Sequence, residues 1–346
     1  MLANGATGPP DRRTFEIAIF CALVVEADAV IALFDEIWDQ DGQFMKAHGD
    51  NNSYTIGLMC QHRVVLAHMP RIGKVSASTV AANLRFTFPH IRLGLLVGIC
   101  GVVPLTQAKR EILLGDVIIT THVIQSDFGM LYPHIFARNN LLRDNPARPS
   151  EEIACFLSKL QEKAVQSKLR DRMRTNLRTI SSSPDFALST YPGVEEDKVF
   201  EAAYIHKHDT KACATGICSD DDVCPEALEM SCTELGCDLG KLVPRTRIQQ
   251  MAETGSSLMY HSPEIHFGGM LSDDQVIKSA LHRDLIAQKE GVIAFEMEGA
   301  GLSETIPTMV VKGSSDYADS HKNKRWQPYA AATAAACKAS SGRISG

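Results

Sequence analysis

Residues 15–34 read Phe-Glu-Ile-Ala-Ile-Phe-Cys-Ala-Leu-Val-Val-Glu-Ala-Asp-Ala-Val-Ile-Ala-Leu-Phe, and this stretch decides the fold class. Its opening is a short apolar run that predicts a strand over 16–22; its remainder predicts a helix over 26–38. Glu16, Glu26 and Asp28 interrupt it, so it is not the run of about 20 apolar residues that a membrane span needs. A strand followed at once by a helix is the unit of an α/β sheet.

Outward from there the alternation continues to about residue 133. Strands are expected over 54–60, 64–69, 94–97 and 116–123, and a helix over 74–88, where Ala, Ser and Val recur on one face. Gly98-Ile-Cys-Gly101 is expected to turn tightly after its strand, with exposed amides. Residues 150–180 carry Leu and Ala at helical spacing among Lys, Arg and Glu, as an amphipathic surface helix does. Residues 181–262 are rich in Ser, Asp, Cys and Gly with weak periodicity, and read as a loop-rich insertion. The pattern resumes with strands over 265–271, 292–297 and 308–313, a helix over 275–288, and an Ala-rich helix from Pro328. The expected architecture is α/β, a single domain over 15–337 with a central mixed twisted sheet flanked by helices. Residues 1–14 read as a disordered tail, and 338–346, Lys-Ala-Ser-Ser-Gly-Arg-Ile-Ser-Gly, as a flexible C-terminus that cannot prolong an amphipathic helix.

Composition narrows the function. A chain of 346 residues that is 45% hydrophobic can bury a sizeable core, which excludes disorder. A net charge of -6 would repel a nucleic-acid backbone, so no nucleic-acid partner is expected. No membrane segment and no signal peptide are read, and a cytoplasmic protein is expected. Of the ten cysteines, Cys21, Cys60, Cys100 and Cys337 fall in apolar segments as small hydrophobes. Cys213, Cys218, Cys224, Cys232 and Cys237 cluster, but none of their spacings is a C-x2-C knuckle, so no metal and no organic cofactor are expected.

In open α/β sheets ligands bind at the carboxyl ends of strands, so the polar residues just past the apolar runs matter most. These are Glu26, Gly98–Gly101, the run Glu296-Met-Glu298-Gly-Ala-Gly301, and Ser314-Ser-Asp316-Tyr-Ala-Asp319. Several carboxylates at one sheet edge cost repulsion that acid/base chemistry would justify; calcium-type ligand spacing is absent. On their own residues, Glu26 is equally an early-helix carboxylate and Asp316 equally a helix cap. Glu296 is expected to point away from Glu298.

FEMEGAGL (295–302) and VVKGSSDYADSHKNKRWQPYAAATAAA (310–336), with RIGKVSAST (71–79), LLVGICGVVP (95–104) and GDVIIT (115–120), resemble the purine nucleoside phosphorylase and nucleosidase superfamily. The likeness is greatest to its fungal branch, whose members often accompany signalling modules in larger proteins. It covers roughly residues 15–135 and 263–337. It implies the nucleoside phosphorylase fold and cleavage of the N-glycosidic bond of a purine nucleoside or nucleotide, through an oxocarbenium-like transition state with protonation of the departing base. By this resemblance Asp316 is the general acid toward purine N7, its proton retained with help from Asp319 and a dry pocket. Glu298 accepts the ribose hydroxyls and Met297 packs on the sugar. Val276 and Ile277 fall where relatives line the base, although core packing explains them equally well; Phe128 either stacks on the base or packs under a loop; and the Asp274 carboxylate is placed to help fix the acid or the base. Asp273 stands where relatives have Gly, which puts that loop's geometry in question.

The family's phosphorylases place arginine after the first strand, whereas this chain has no arginine between Thr14 and Arg63. Glu26 instead matches the glutamate that activates water in methylthioadenosine/S-adenosylhomocysteine nucleosidases. Hydrolysis is therefore expected. The alternatives are phosphorolysis, a glycosyltransferase reaction with inorganic phosphate held by Arg71 and the amides of Gly98, Ile99, Cys100 and Gly101, and a ligand-sensing module without turnover. His321, Lys322, Lys324 and Arg325 follow Asp316 and either meet a 5′-phosphate or are solvated loop residues. The family also implies a homo-oligomer.

Overall fold

The computed structural model describes residues 11–38, 46–138, 149–208, 213, 216–219, 223–253 and 262–342. Among these, nine strands form one mixed sheet: β1 (Ile17–Cys21), β2 (Glu36–Ile37), β3 (Ser53–Met59), β4 (His62–His68), β5 (Leu93–Val102), β6 (Val117–Gln125), β9 (Ile265–Ser272), β10 (Val292–Glu296) and β11 (Thr308–Asp316). A separate hairpin is made by β7 (Gly129–Tyr132) and β8 (Ile135–Arg138). The order is β10-β9-β6-β11-β5-β1-β4-β3-β2. At its far end β5 also pairs antiparallel with β10, Val102 opposite Ala294, so β5, β10, β9, β6 and β11 close into a ring.

Each face of the sheet has its own core. On one, α2 (Lys74–Thr87), α8 (Ala280–Glu290) and α9 (Gly299–Ser303) cover Phe20, Val65, Leu96, Val102 and Val310. On the other, α1 (Val24–Ile31), α3 (Glu151–Leu160), α4 (Lys163–Ser181) and α10 (Gln327–Gly342) cover Ile19, Leu66, Val97 and Val311. Strands buried on both faces read as continuous apolar runs, and β1, β5 and β11 do. The expected α/β architecture with a mixed, helix-flanked sheet is the one observed.

Several expectations are corrected. The helix foreseen over 26–38 ends at Ile31, because the chain turns to pair Glu36–Ile37 with β3, which makes β2 the edge of the sheet. Gly98–Gly101 is not a turn after a strand: it is the distal half of β5, paired with β11 along its length. The helix foreseen from 275 begins at Ala280, where the Ser279 hydroxyl caps it by accepting from the His282 N–H. The amphipathic segment 150–180 is two helices. Arg12–Thr14 form a helical turn, although residues 1–10 of the expected tail lie outside the described residues. At the other end α10 runs to Gly342, with Lys338, Ala339 and Ser340 buried, so the helix outlasts the limit expected at 337; residues 343–346 lie outside the described residues.

The insertion holds short elements: α5 (Pro225–Glu229), α6 (Cys232–Leu235) and α7 (Thr246–Glu253). Arg247 of α7 and His266 of β9 both reach the fully buried Asp116 at the start of β6, with His266 Nε2 at 2.9 Å. Burial alone would raise the Asp116 carboxyl; His266 and Arg247 outweigh it and hold the group far below its ordinary range. No helix among the described residues is long and apolar enough to cross a membrane.

Candidate active site

Glu26 lies in the first turn of α1, and its side chain folds back under the end of β1. Its Oε2 accepts from the N–H groups of Ala22 (2.8 Å) and Leu23 (2.9 Å), while Oε1 accepts from Ile99 on the neighbouring β5 (2.8 Å). Gly98 makes this possible, since a Cβ there would overlap the Glu26 carboxylate. The carboxylate is buried at a fixed point between two strand ends.

Glu298 stands just past the end of β10, and Lys312 stands in mid-strand on β11. They pair at 3.2 Å, and Gly73 N–H reaches the other Glu298 oxygen at 3.3 Å. Glu296 closes the group: its Oε2 accepts from Glu298 N–H and Gly299 N–H, both at 2.8 Å, while Oε1 has no partner. Glu296 was expected to turn away. Residues two apart in a strand share a face, however, and β10 ends where its side chain can fold under the following backbone.

The electrostatics follow. Burial raises the Glu26 carboxyl above its ordinary range against the opposing charge of Lys312, with Glu298 adding to the rise. Burial and Glu298 likewise raise Glu296. Burial would strip the Lys312 proton, but Glu298, Glu26 and Glu296 outweigh it and keep the ammonium charged. One buried cation thus serves three carboxyls.

Asp316 ends β11. Between Ser314 and Asp316 the pairing with β5 shifts register, a bulge that re-aims the side chain beside the mouth of the cavity. Its Oδ2 accepts from the Ser315 hydroxyl (2.8 Å) and pairs with Lys322 Nζ (2.9 Å), and its Oδ1 accepts from Ala318 N–H (3.0 Å). A Cβ at Gly101 would come within 2.9 Å of this carboxylate.

These groups meet at one cavity of about 340 Å³, whose wall includes Glu26, Glu296, Met297, Glu298 and Asp316. Ile99, Cys100, Gly101 and Val276 also line it. Gly98 stands behind Glu26 instead. Arg71, Phe128 and Asp274 are not on the wall. Arg71 is exposed, and its neighbour Ile72, also exposed, lies on the wall in its place. Phe128 is 45% exposed at the start of the β7–β8 hairpin. Asp274 instead accepts from the Lys74 N–H (3.0 Å) at the start of α2, and its neighbour Asp273 faces the cavity. Sequence reasoning missed Lys312, although a lysine inside the otherwise apolar run from Thr308 to Gly313 has to be paired and so pointed to buried carboxylates. A second cavity, of about 680 Å³, shares Ser315, Asp316, Lys322, Lys324 and Gln327 with the first and extends toward the insertion.

No family model matches the chain. A curated relative, a nucleotide-binding leucine-rich repeat (NLR)-like protein of Hyaloscypha variabilis, is 31% identical over 328 residues, which is 93% of this chain and 28% of the relative's length. Among solved structures, the Neisseria meningitidis 5′-methylthioadenosine/S-adenosylhomocysteine nucleosidase in complex with methylthio-immucillin-A matches 95% of this chain and 99% of its own, with 16% identity and a TM-score of 0.52. The Helicobacter pylori enzyme with butyl-thio-DADMe-Immucillin-A covers 95% and 97%, with 15% identity and a TM-score of 0.51. A futalosine hydrolase mutant from the same organism covers 94% and 98%, with 14% identity and a TM-score of 0.50. At these identities the likeness is one of fold.

Proposed function

We propose that this chain hydrolyses the N-glycosidic bond of a purine nucleoside or nucleotide and releases the free base. The observation that carries the reading is the convergence of Glu26, Glu298 and Asp316, far apart in sequence, on one cavity of about 340 Å³. In this mechanism Glu26 holds the attacking water and takes its proton. Its raised affinity for protons suits a base, and three backbone donors fix it in place. Glu298, held in place by its contact with Lys312, accepts the ribose hydroxyls, and Met297 packs on the sugar. Asp316 delivers a proton to purine N7, with Lys322 exchanging its contact as the carboxyl is recharged. Positioned proton transfer of this kind contributes about 10²–10⁴-fold.

Two further supports come from outside the cavity. The solved structures of similar fold include nucleosidases bound to immucillin-type nucleoside analogues. The match to little more than a quarter of an NLR-like protein is what a module of a larger signalling protein would give, in keeping with the fungal-branch reading. Nothing favours phosphorolysis: Arg71 is off the cavity wall, and the Ile99 N–H that a phosphate would use is occupied by Glu26.

The test is incubation with adenosine, guanosine, inosine and ATP, with and without phosphate, followed by chromatography. Free base with ribose or ribose phosphate, formed at a rate indifferent to phosphate, is expected. Ribose 1-phosphate would replace hydrolysis by phosphorolysis. Release of no base from any of them would overturn the reading.

A further inference from the structure

The insertion gathers its thiols and imidazoles into two compact groups that the proposed reaction does not use. In the first, His208, Cys213, Cys218 and Cys224 present ligand atoms all within 4.8 Å of one another. His208 Nδ1 lies 3.4 Å from Cys224 Sγ and 3.9 Å from Cys218 Sγ. In the second, His206, Cys237 and His321 lie within the same limit, with His206 Nδ1 3.3 Å from Cys237 Sγ. Cys232 Sγ is 3.8 Å from that same nitrogen and makes a fourth ligand. A tetrahedral ion with metal–sulfur bonds of about 2.3 Å and metal–nitrogen bonds of about 2.0 Å separates its ligand atoms by roughly 3.3–3.8 Å. Three of the observed sulfur–nitrogen spacings, 3.3, 3.4 and 3.8 Å, fall in that range, and the fourth, 3.9 Å, lies just beyond it.

The surroundings are those of ligands rather than of ordinary core residues. The second ring nitrogen of His206 lies 3.0 Å from the Met230 carbonyl, which fixes the tautomer that leaves Nδ1 free to coordinate. Cys218 Sγ and Cys224 Sγ each accept a backbone N–H, from Cys224 and Ala227, both at 3.5 Å, as thiolates at metal sites do. His321 is 8% exposed, yet its Nε2 has no hydrogen-bond partner. An orphaned buried nitrogen on a ring grouped with His206 and the Cys237 thiol calls for an electrophile. The apolar packing is too thin to hold the segment: among the described residues, Cys213, Cys218 and Cys224 cluster with Ala227, Val223 and Leu235 alone. All ten cysteines are free thiols.

We infer that the insertion carries two structural zinc ions, one on His208, Cys213, Cys218 and Cys224, the other on His206, Cys232, Cys237 and His321. Thiolate and imidazole in closed tetrahedral sets select zinc over the hard cations, and closed sets are structural because no coordination position remains for substrate. Each coordinating thiol releases its proton as it binds. The expectation of no metal rested on the absence of C-x2-C spacing. The fold supplies the sites by other means, interleaving two histidines two residues apart and recruiting a third, His321, from the segment after Asp316. The second ion thereby ties the insertion to the segment that carries Lys322, where the rings of Phe200 and Tyr204 already stack on His321 with centroids at 4.0 and 5.4 Å.

The test is metal analysis of the full chain purified under reducing conditions without chelator. We expect about two zinc ions per chain in the wild type and in Cys155→Ser, whose thiol is exposed and outside both groups. About one ion is expected in Cys224→Ser and about one in Cys237→Ser. X-ray absorption of the wild type should show a sulfur-to-nitrogen ratio near five to three, a readout that needs no variant to fold. Less than half an ion per chain, both as purified and after loading the reduced protein with zinc, overturns the inference. So does a count of missing thiols that reveals disulfides among these cysteines. A single ion, lost in Cys224→Ser and kept in Cys237→Ser, overturns the second site.

Discussion

The sheet and the insertion are held together by different physics. In the sheet, Ile19, Leu66, Leu96 and Val310 are fully buried between helices, and each such side chain contributes about 1.5–3 kcal/mol. Between Phe200 and Lys241 the described buried residues are His206, three cysteines and Ala227, which supply almost no apolar area. A structural zinc contributes on the order of 10 kcal/mol or more. Two ions would therefore do for the insertion what a cluster of aliphatic side chains does for a sheet face. The first kind of core is written in the sequence as periodicity; the second is written only as residue types whose partners the fold must choose.

The largest expected effect separates the two directly. Chelating the ions from the reduced protein should expose residues 204–245 to proteolysis within minutes, while the sheet keeps a cooperative unfolding transition. An unchanged cleavage pattern would mean that the insertion has a core of its own. Next comes the sheet edge. Asp316→Asn should lower turnover by about 10²–10⁴-fold with both zinc ions retained, because the acid is lost and the scaffold is not. A rate like the wild type's would take Asp316 out of the proposed proton transfer. Asp116→Asn acts where α7 rejoins the sheet and leaves Arg247 and His266 without their buried partner. It should cost roughly 3 kcal/mol by denaturant titration at neutral pH. Asp116 binds its proton far more weakly folded than unfolded. Its stabilisation is therefore present above the ordinary carboxylate pKa and fades as pH falls through the acid range, so the variant's deficit should shrink below pH 4.

What could be read beforehand follows the same division. The apolar runs of β1, β4 and β11 show their strands, and the acids just past them show the cavity edge, because burial on two faces demands continuous apolar sequence. The distal half of β5 was missed because Gly98 and Gly101 weaken strand propensity, and it is pairing with the distant strand β11 that makes them a strand. Glu296 and Lys312 were missed as parts of the site because their roles come from a shared buried charge balance, which no local pattern records. His321 is grouped with Cys237, more than eighty residues earlier, so spacing rules had nothing to act on.

The smallest effect probes a flaw in the better-packed half. Lys338 lies on α10 in the sheet-side core, 5% exposed, its ammonium 3.0 Å from the Met59 sulfur, a weak acceptor. Burial lowers its pKa from 10.5 to about 8 against the opposing pull of Cys60 and Cys21. The folded chain therefore holds this proton less tightly than the unfolded chain. Between about pH 8 and 10.5 the unfolded state binds more protons, so stability rises with pH across that window. Below it the charge costs on the order of 3–4 kcal/mol, at about 1.4 kcal/mol per pKa unit. Lys338→Met removes that cost together with the ammonium's own contacts while keeping an unbranched side chain, and should stabilise the protein by a net of about 2 kcal/mol at pH 7 in urea titrations. The gain should dwindle toward pH 10.5, where the lysine is neutral in both states. A gain constant over this range would trace to packing instead, and the contrast between an apolar sheet core and a metal-held insertion would lose the buried charge that tests it.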